Sequence, residues 1–317
     1  MSERLVGLAC AAVVLTAGGA DARAQQETAL SVERLTPPPG AGVFFAAADA
    51  DVLPDRVWRL AAVGSLMSRP LVLRELTSGD RVSEPVRVRL GYDLAAAVGL
   101  GGRWQVGAAL PIVAAQDGDR LQGIDLDETS LRPVTLGDVR LHGKMRLVGR
   151  AGDRGAGLAV AAMLSLPTGD GGNFAGEKSV TFGWNATGSY AASMWRVALA
   201  VGPRLRAEKV VLLSPARASG GELTAAFAAE ARVPFVADGA LSALFEYALV
   251  RGDEPTPGSS VRGPSPEELR AGLRWRSPTR WALTAGAGFG TTPAQIGSPA
   301  WRIILAFSWR SSSPQRP

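Results

Sequence analysis

The chain has 317 residues, 34 Lys+Arg against 29 Asp+Glu, and a formal net charge of +5, with one cysteine (Cys10) and one histidine (His142). A zinc site of Cys and His ligands and an intrachain disulfide framework are both excluded by that inventory. With 46% hydrophobic residues, intrinsic disorder is excluded as well.

Residues 1–24 read as a secretory signal peptide. Arg4 supplies the positive start, Leu5 to Ala17 a short apolar run, and Ala22-Arg23-Ala24 a small-x-small cleavage site. Cleavage near Ala24 removes Cys10, as suits a bacterial protein exported through an oxidising periplasm. Residues 25–56 follow as an amino-terminal segment. Pro37-Pro38-Pro39-Gly40 makes part of it extended, and Val43-Phe44-Phe45-Ala46 is open to three readings: a short strand, a plug in a lumen or a periplasmic contact.

From residue 57 to 309 the period is 2. The spacing predicts twelve strands, near 58–66, 86–98, 104–112, 139–147, 158–166, 180–190, 195–205, 223–233, 241–249, 269–275, 281–289 and 301–309. On each, the face that opens the span carries no charged residue. The opposite face carries Arg59, Arg87, Arg89, Arg140, Lys144, Arg146, Arg196, Arg204, Arg232, Arg270, Arg274 and Arg302, with Asp93, Glu230 and Glu246. A soluble sandwich also alternates, but its strands average roughly 5–6 residues, while a tilted membrane-spanning strand needs about 9–11. Lys or Arg facing lipid near the midplane costs roughly 2–4 kcal/mol, which accounts for a clean outer face.

The tryptophans and the connections agree with a membrane barrel. All eight Trp fall on the uncharged face. Trp58, Trp104, Trp195, Trp275, Trp281 and Trp309 share the periplasmic end as an aromatic girdle; Trp301 lies at the other end and Trp184 within its strand. The eleven connections alternate between short and long, as periplasmic turns and outer loops do. The expected fold is an all-β, transmembrane up-and-down antiparallel barrel of about twelve strands in a bacterial outer membrane, followed by a polar tail at 310–317.

Several stretches resemble the barrel region of outer membrane protein A-like proteins of myxobacterial type. They are Val32-Glu33-Arg34-Leu35-Thr36-Pro37, Val52-Leu53-Pro54, Arg69-Pro70-Leu71-Val72-Leu73-Arg74, Gly107-Ala108-Ala109-Leu110-Pro111, Gly137-Asp138-Val139-Arg140-Leu141 and Leu164-Ser165-Leu166-Pro167-Thr168-Gly169. The resemblance implies an outer-membrane barrel of a Gram-negative bacterium, with outer-membrane lipid, lipopolysaccharide and the barrel assembly machinery as partners. The peptidoglycan-binding domain that many relatives carry is not expected here, and Phe307 or Trp309 stands where such barrels place the aromatic that the assembly machinery reads.

Chemistry is sparse. His142, between Arg140 and Lys144 on the inward face, reads as a neutral lumen residue, so no enzyme activity is expected. Asp125, Asp127 and Glu128 in the longest outer loop read as a solvated charged loop, with calcium as the alternative. No cofactor or metal is expected, and the interior placement of the basic charge argues against nucleic acid. Twelve inward cations against three inward anions leave two main roles. One is a structural or partner-binding barrel whose lumen is closed. The alternative is a narrow pore favouring small anions along an Arg-lined lumen.

Overall fold

The structure is a computed structural model that describes residues 30–40, 42–74, 80–119, 131–149, 154–211, 218–236, 240–252, 265–291 and 297–312. The strands are β1 (Trp58–Arg74), β2 (Arg81–Leu100), β3 (Trp104–Asp117), β4 (Thr135–Leu136), β5 (Arg140–Val148), β6 (Gly155–Ser165), β7 (Thr181–Ala191), β8 (Trp195–Val211), β9 (Ala218–Arg232), β10 (Leu241–Gly252), β11 (Glu267–Arg276), β12 (Trp281–Gly290) and β13 (Trp301–Arg310). All pairings are antiparallel between chain neighbours, except that β4 is a two-residue addition and β3 pairs directly with β5. β13 returns to β1, from Arg59 opposite Arg310 to Ser68 opposite Trp301. Twelve long strands therefore close into a barrel with no free edge, the only sheet arrangement that satisfies its backbone inside lipid.

Closure depends on the alternation. Along β13, Trp301, Ile303, Leu305, Phe307 and Trp309 are exposed, whereas Arg302 and Ile304 are fully buried. A strand places successive side chains on opposite faces, so one register puts the charge-free face of β13 toward lipid and Arg302 inward. The turns that reverse the chain are short at one end: 101–103, 149–154, 192–194, 233–240 and 277–280. Gly101 and Gly102 both take positive φ (58° and 69°), which makes the three-residue turn into β3 possible without Cβ strain. In outer-membrane barrels this short-turn end faces the periplasm.

Five strands run well beyond the alternating spans: β1, β2, β3, β8 and β9. There the pairing shifts register between Ser68 and Leu71 and between Leu205 and Val210. Outside the lipid layer nothing demands a clean outer face, so the period lapses while the backbone ladder continues. Much of what reads as outer loop at 67–85 is therefore ladder.

Trp58, Trp104 and Trp195 are about half exposed at the short-turn end. Trp275 and Trp281 meet edge to face, with ring centroids 4.6 Å apart, and Trp281 lies opposite Trp309 in the ladder. Asp125, Asp127 and Glu128 lie outside the described residues, as does the tail beyond Ser312. Ser311 joins the barrel instead, exchanging hydrogen bonds with the Trp58 backbone.

Candidate functional site: an occupied lumen

The amino-terminal segment runs through the barrel from end to end. Val32 packs with Met67, Leu71, Val86, Leu131 and Phe174 at the long-loop end. Leu35 and Phe45 pack midway against Val63, Leu244 and Ile304, and Leu53 and Val57 reach Ala97 near the short turns. The segment is neither strand nor helix. Its prolines offer no N–H, and the remaining backbone groups find lumen side chains, as buried peptide groups must. Glu246 accepts from the amides of Ala46 and Ala47 at 3.0 and 2.9 Å. Gln105 accepts from the Leu53 amide and donates to the Pro39 carbonyl. Lys144 donates to the carbonyls of Asp49 and Asp51. Arg59 donates to those of Gly40 and Gly42.

Two glycines of the wall make room for the segment. A Cβ on Gly272 would lie 2.7 Å from the Phe45 ring, and one on Gly286 would meet the same ring. The phenyl thus rests directly on the backbone of β11 and β12.

A second insertion comes from the connection 166–180. Asp170 caps the 3-10 turn Gly171–Asn173, and Phe174 follows in the left-handed conformation, buried. Arg89 grips this loop, donating to the carbonyls of Asn173 and Phe174 and to Gln116.

Charge inside the outer half of the barrel is paired, Arg89 apart. Glu222 takes Arg34 at 3.0 Å and Arg206 at 2.8 Å, and Glu177 takes Arg204 and Arg206 at 3.0 to 3.2 Å. Glu268 takes Arg270 at 2.9 Å and Arg302 at 2.8 Å; Arg270 also meets Glu246, and Arg302 also meets Glu33. Arg140 pairs with Asp93. Deeply buried ions persist only where such partners replace water.

The anticipated surplus of inward cations is therefore corrected. Glu222 and Glu268 sit one residue before the alternating spans, Glu177 on the inserted loop, and Glu33, Asp49 and Asp51 on the amino-terminal segment. Each points into the lumen; all but Glu222 pair with a cation counted as unmatched, and Glu222 pairs with Arg34 and Arg206, two cations outside that count. Charged residues flanking a period-2 run at the right parity were the available signal for the first two. Two cations are not in the lumen at all. Arg87 has a 45% exposed side chain and pairs with Glu84, Asp117 and Asp119 beyond the lipid layer, and Arg232 is exposed at the end of β9. Alternation assigned both inward, but Arg232 ends β9, where a long side chain reaches water whichever face it leaves from, and Arg87 lies past the register shift between Leu90 and Gly91 in the β2–β3 ladder.

Besides the exposed Arg232, four of the anticipated lumen cations have no carboxylate partner among the described residues: Arg59, Arg89, Arg146 and Arg274. Arg89 is spent on the inserted loop. The other three lie at the short-turn end, where Arg59 and Arg274 hold the Gly42 carbonyl and Arg146 the Gly102 carbonyl. Arg196 and Lys144 share Asp49, Arg196 also holds Asp51, and Arg276 pairs with Glu230.

A cavity of about 180 Å³ remains beside the amino-terminal segment. Its far wall is built from small residues on β6 to β9, among them Ala161, Gly183, Asn185, Ala200, Thr224 and Ala226. His142 borders it, with Nε2 buried and unpartnered. Two larger spaces of about 400 Å³ each open at the short-turn end, on either side of residues 50–54.

No family model matches the chain, and no curated relative matches it. The solved structures place the fold. The outer membrane channel of the COG4313 group from Pseudomonas putida F1 superimposes with a TM-score of 0.61 at 14% identity, covering 84% of this chain and 99% of that one. The NanC porin gives 0.49 at 7% identity over 79% and 98%, and the KdgM porin 0.45 at 8% over 80% and 99%. The fold is that of a bacterial outer-membrane β-barrel, and the narrower likeness to the outer membrane protein A group gains no support.

Proposed function

We propose that this chain is a narrow outer-membrane channel for small anions, with a lumen occupied by its own amino-terminal segment. The observation that carries the reading is how the segment is held. Apart from three small apolar clusters, it is tied by hydrogen bonds and ion pairs to lumen side chains, contacts that water can replace. It faces a wall of small residues with a cavity already beside it. A purely structural barrel of twelve strands has no need of small residues along one side; large side chains could fill that space. Likeness in fold to an outer-membrane channel supports the same reading over a purely structural or partner-binding role.

The test is conductance in planar bilayers under a salt gradient, comparing the mature chain with one lacking residues 30–52. The intact barrel is expected to show small or rare steps. The shortened one is expected to give larger, steady steps with a reversal potential favouring anions, because the removed segment takes Glu33, Asp49 and Asp51 with it and leaves their guanidinium partners facing water. Silence from both, with folding confirmed by heat-modifiable migration, would return the structural or partner-binding role.

A further inference from the structure

Four guanidinium groups meet at the short-turn mouth with no carboxylate in ion-pair contact among the described residues. Arg59 and Arg310 stand directly opposite each other in the β1–β13 ladder. Like charges in that position repel and destabilise a sheet. Arg280 joins them, its carbonyl accepting from the Arg310 amide at 3.0 Å, and Arg274 projects from β11 into the same space. Together they line a cavity of about 400 Å³ bounded on the other side by residues 42–43 and 51–54 of the amino-terminal segment.

The nearby acidic groups are taken by two further cations of the same mouth, Arg196 and Arg276. Asp51 lies 2.8 Å from Arg196, and Asp49 2.9 Å from the same guanidinium. Glu230 is taken by Arg276. Arg59 and Arg274 donate only to neutral carbonyls, and the Nε of Arg274, a residue 92% buried, has no partner. A buried donor without an acceptor is costly, and a cluster of cations with free donors is costlier still. An oxyanion would remove both penalties at once, because each guanidinium can give two parallel bonds to a carboxylate or phosphate group.

We propose that this mouth is a binding site for a small multivalent oxyanion, a polycarboxylate or phosphate compound, in contact with Arg59, Arg274, Arg280 and Arg310. The volume admits a molecule of several heavy atoms, and four uncompensated charges favour a di- or trianion over a monovalent one. The site deepens the channel reading and rests on it for its purpose, but not for its existence. It places anion selection at the periplasmic mouth rather than along the lumen, where pairing has used up the cations.

Binding is tested on the full mature chain, folded in neutral detergent, by calorimetric titration with citrate, with inorganic phosphate and acetate alongside. The fluorescence of Trp281 and Trp309, which border the cavity, gives a second readout. The expected result is one citrate per barrel, bound at least about tenfold more tightly than acetate, with affinity falling steeply as salt rises. Arg280→Gln and Arg310→Gln, whose side chains are exposed and make no hydrogen bond or ion pair with the amino-terminal segment among the described residues, should each weaken citrate about tenfold while the barrel still folds. Equal affinity for citrate and acetate, or unchanged citrate affinity in both variants, overturns the site. Loss of citrate binding in phosphatidylglycerol nanodiscs but not in phosphatidylcholine nanodiscs overturns a soluble ligand in favour of a lipid headgroup. Citrate binding by a barrel that never conducts leaves the site standing and removes the channel; conductance without citrate binding does the reverse.

Discussion

The two halves of the lumen contain similar cations and treat them differently. Toward the long loops, Arg34, Arg204, Arg206, Arg270 and Arg302 are tied to Glu177, Glu222, Glu246 and Glu268 in networks where most members have two partners. Toward the short turns, Arg59, Arg146 and Arg274 end on main-chain carbonyls, and Arg280 and Arg310 on nothing described. The first arrangement satisfies its charge within the chain and holds the inserted segments in place. The second leaves charge for something else to satisfy. Arg content alone therefore does not mark an anion path; what matters is which guanidiniums lack a carboxylate.

The sharpest way to break that contrast is to remove a carboxylate from the outer network. Glu268 is buried between Arg270 and Arg302. Glu268→Ala leaves both with only their second partners, Glu246 and Glu33, and should destabilise the barrel by about 3 kcal/mol, the low end for orphaning a buried ion pair. Equilibrium unfolding of the refolded barrel in urea measures this. A change below about 1 kcal/mol would mean that the outer network is not what holds the lumen closed.

The same contrast separates what was legible in the sequence from what was not. The membrane writes its demand into every strand: Leu305 and Ile303 must face lipid and Arg302 must not, and that period survives as a plain alternation in the chain. All twelve long strands and the sorting of Trp58, Trp104 and Trp195 to one end could be read from it. The lumen imposes no such period. Glu222 and Glu268 sit just before the alternating spans of β9 and β11, and Glu177 lies in a turn-rich loop. Asp49 and Phe45 belong to a segment with no repeat at all. That Phe45 settles on Gly272 and Gly286, some 230 residues away in the chain, depends on a three-dimensional gap that no local pattern records. Thus the barrel could be read from the sequence, while the candidate site could be read only in its cations and not in their partners.

At the inner end the expected effect is smaller and of opposite sign. Arg146 is buried, with Nε and one terminal nitrogen lacking partners and its other terminal nitrogen on the Gly102 carbonyl. Arg146→Gln removes an uncompensated charge while keeping a donor of similar reach. Stability should stay the same or rise by up to about 1 kcal/mol, since replacing a buried charge by a neutral group is often neutral or favourable. The same urea titration decides it, and a loss comparable to that of Glu268→Ala would mean that the two halves are alike after all.

The smallest effect belongs outside both halves. Arg87 contacts Glu84 at 3.2 Å, Asp117 at 3.1 Å and Asp119 at 2.6 Å, yet nearly half of its side chain is in water. Exposed pairs are worth roughly 0.2–1 kcal/mol even in good geometry, because water screens the charges and the long side chain gives up rotamer freedom to hold them. Arg87→Ala should shift the urea midpoint least of the three variants, and the difference from wild type should vanish in high salt as the Debye length shrinks. If the cost persisted at high salt, packing of the Arg87 stem against the β2–β3 extension would be the source instead. The number of contacts would then have been a poor guide in this position too, for the same reason that it is a poor guide in the lumen: the worth of an Arg here is set by how much water its partners replace.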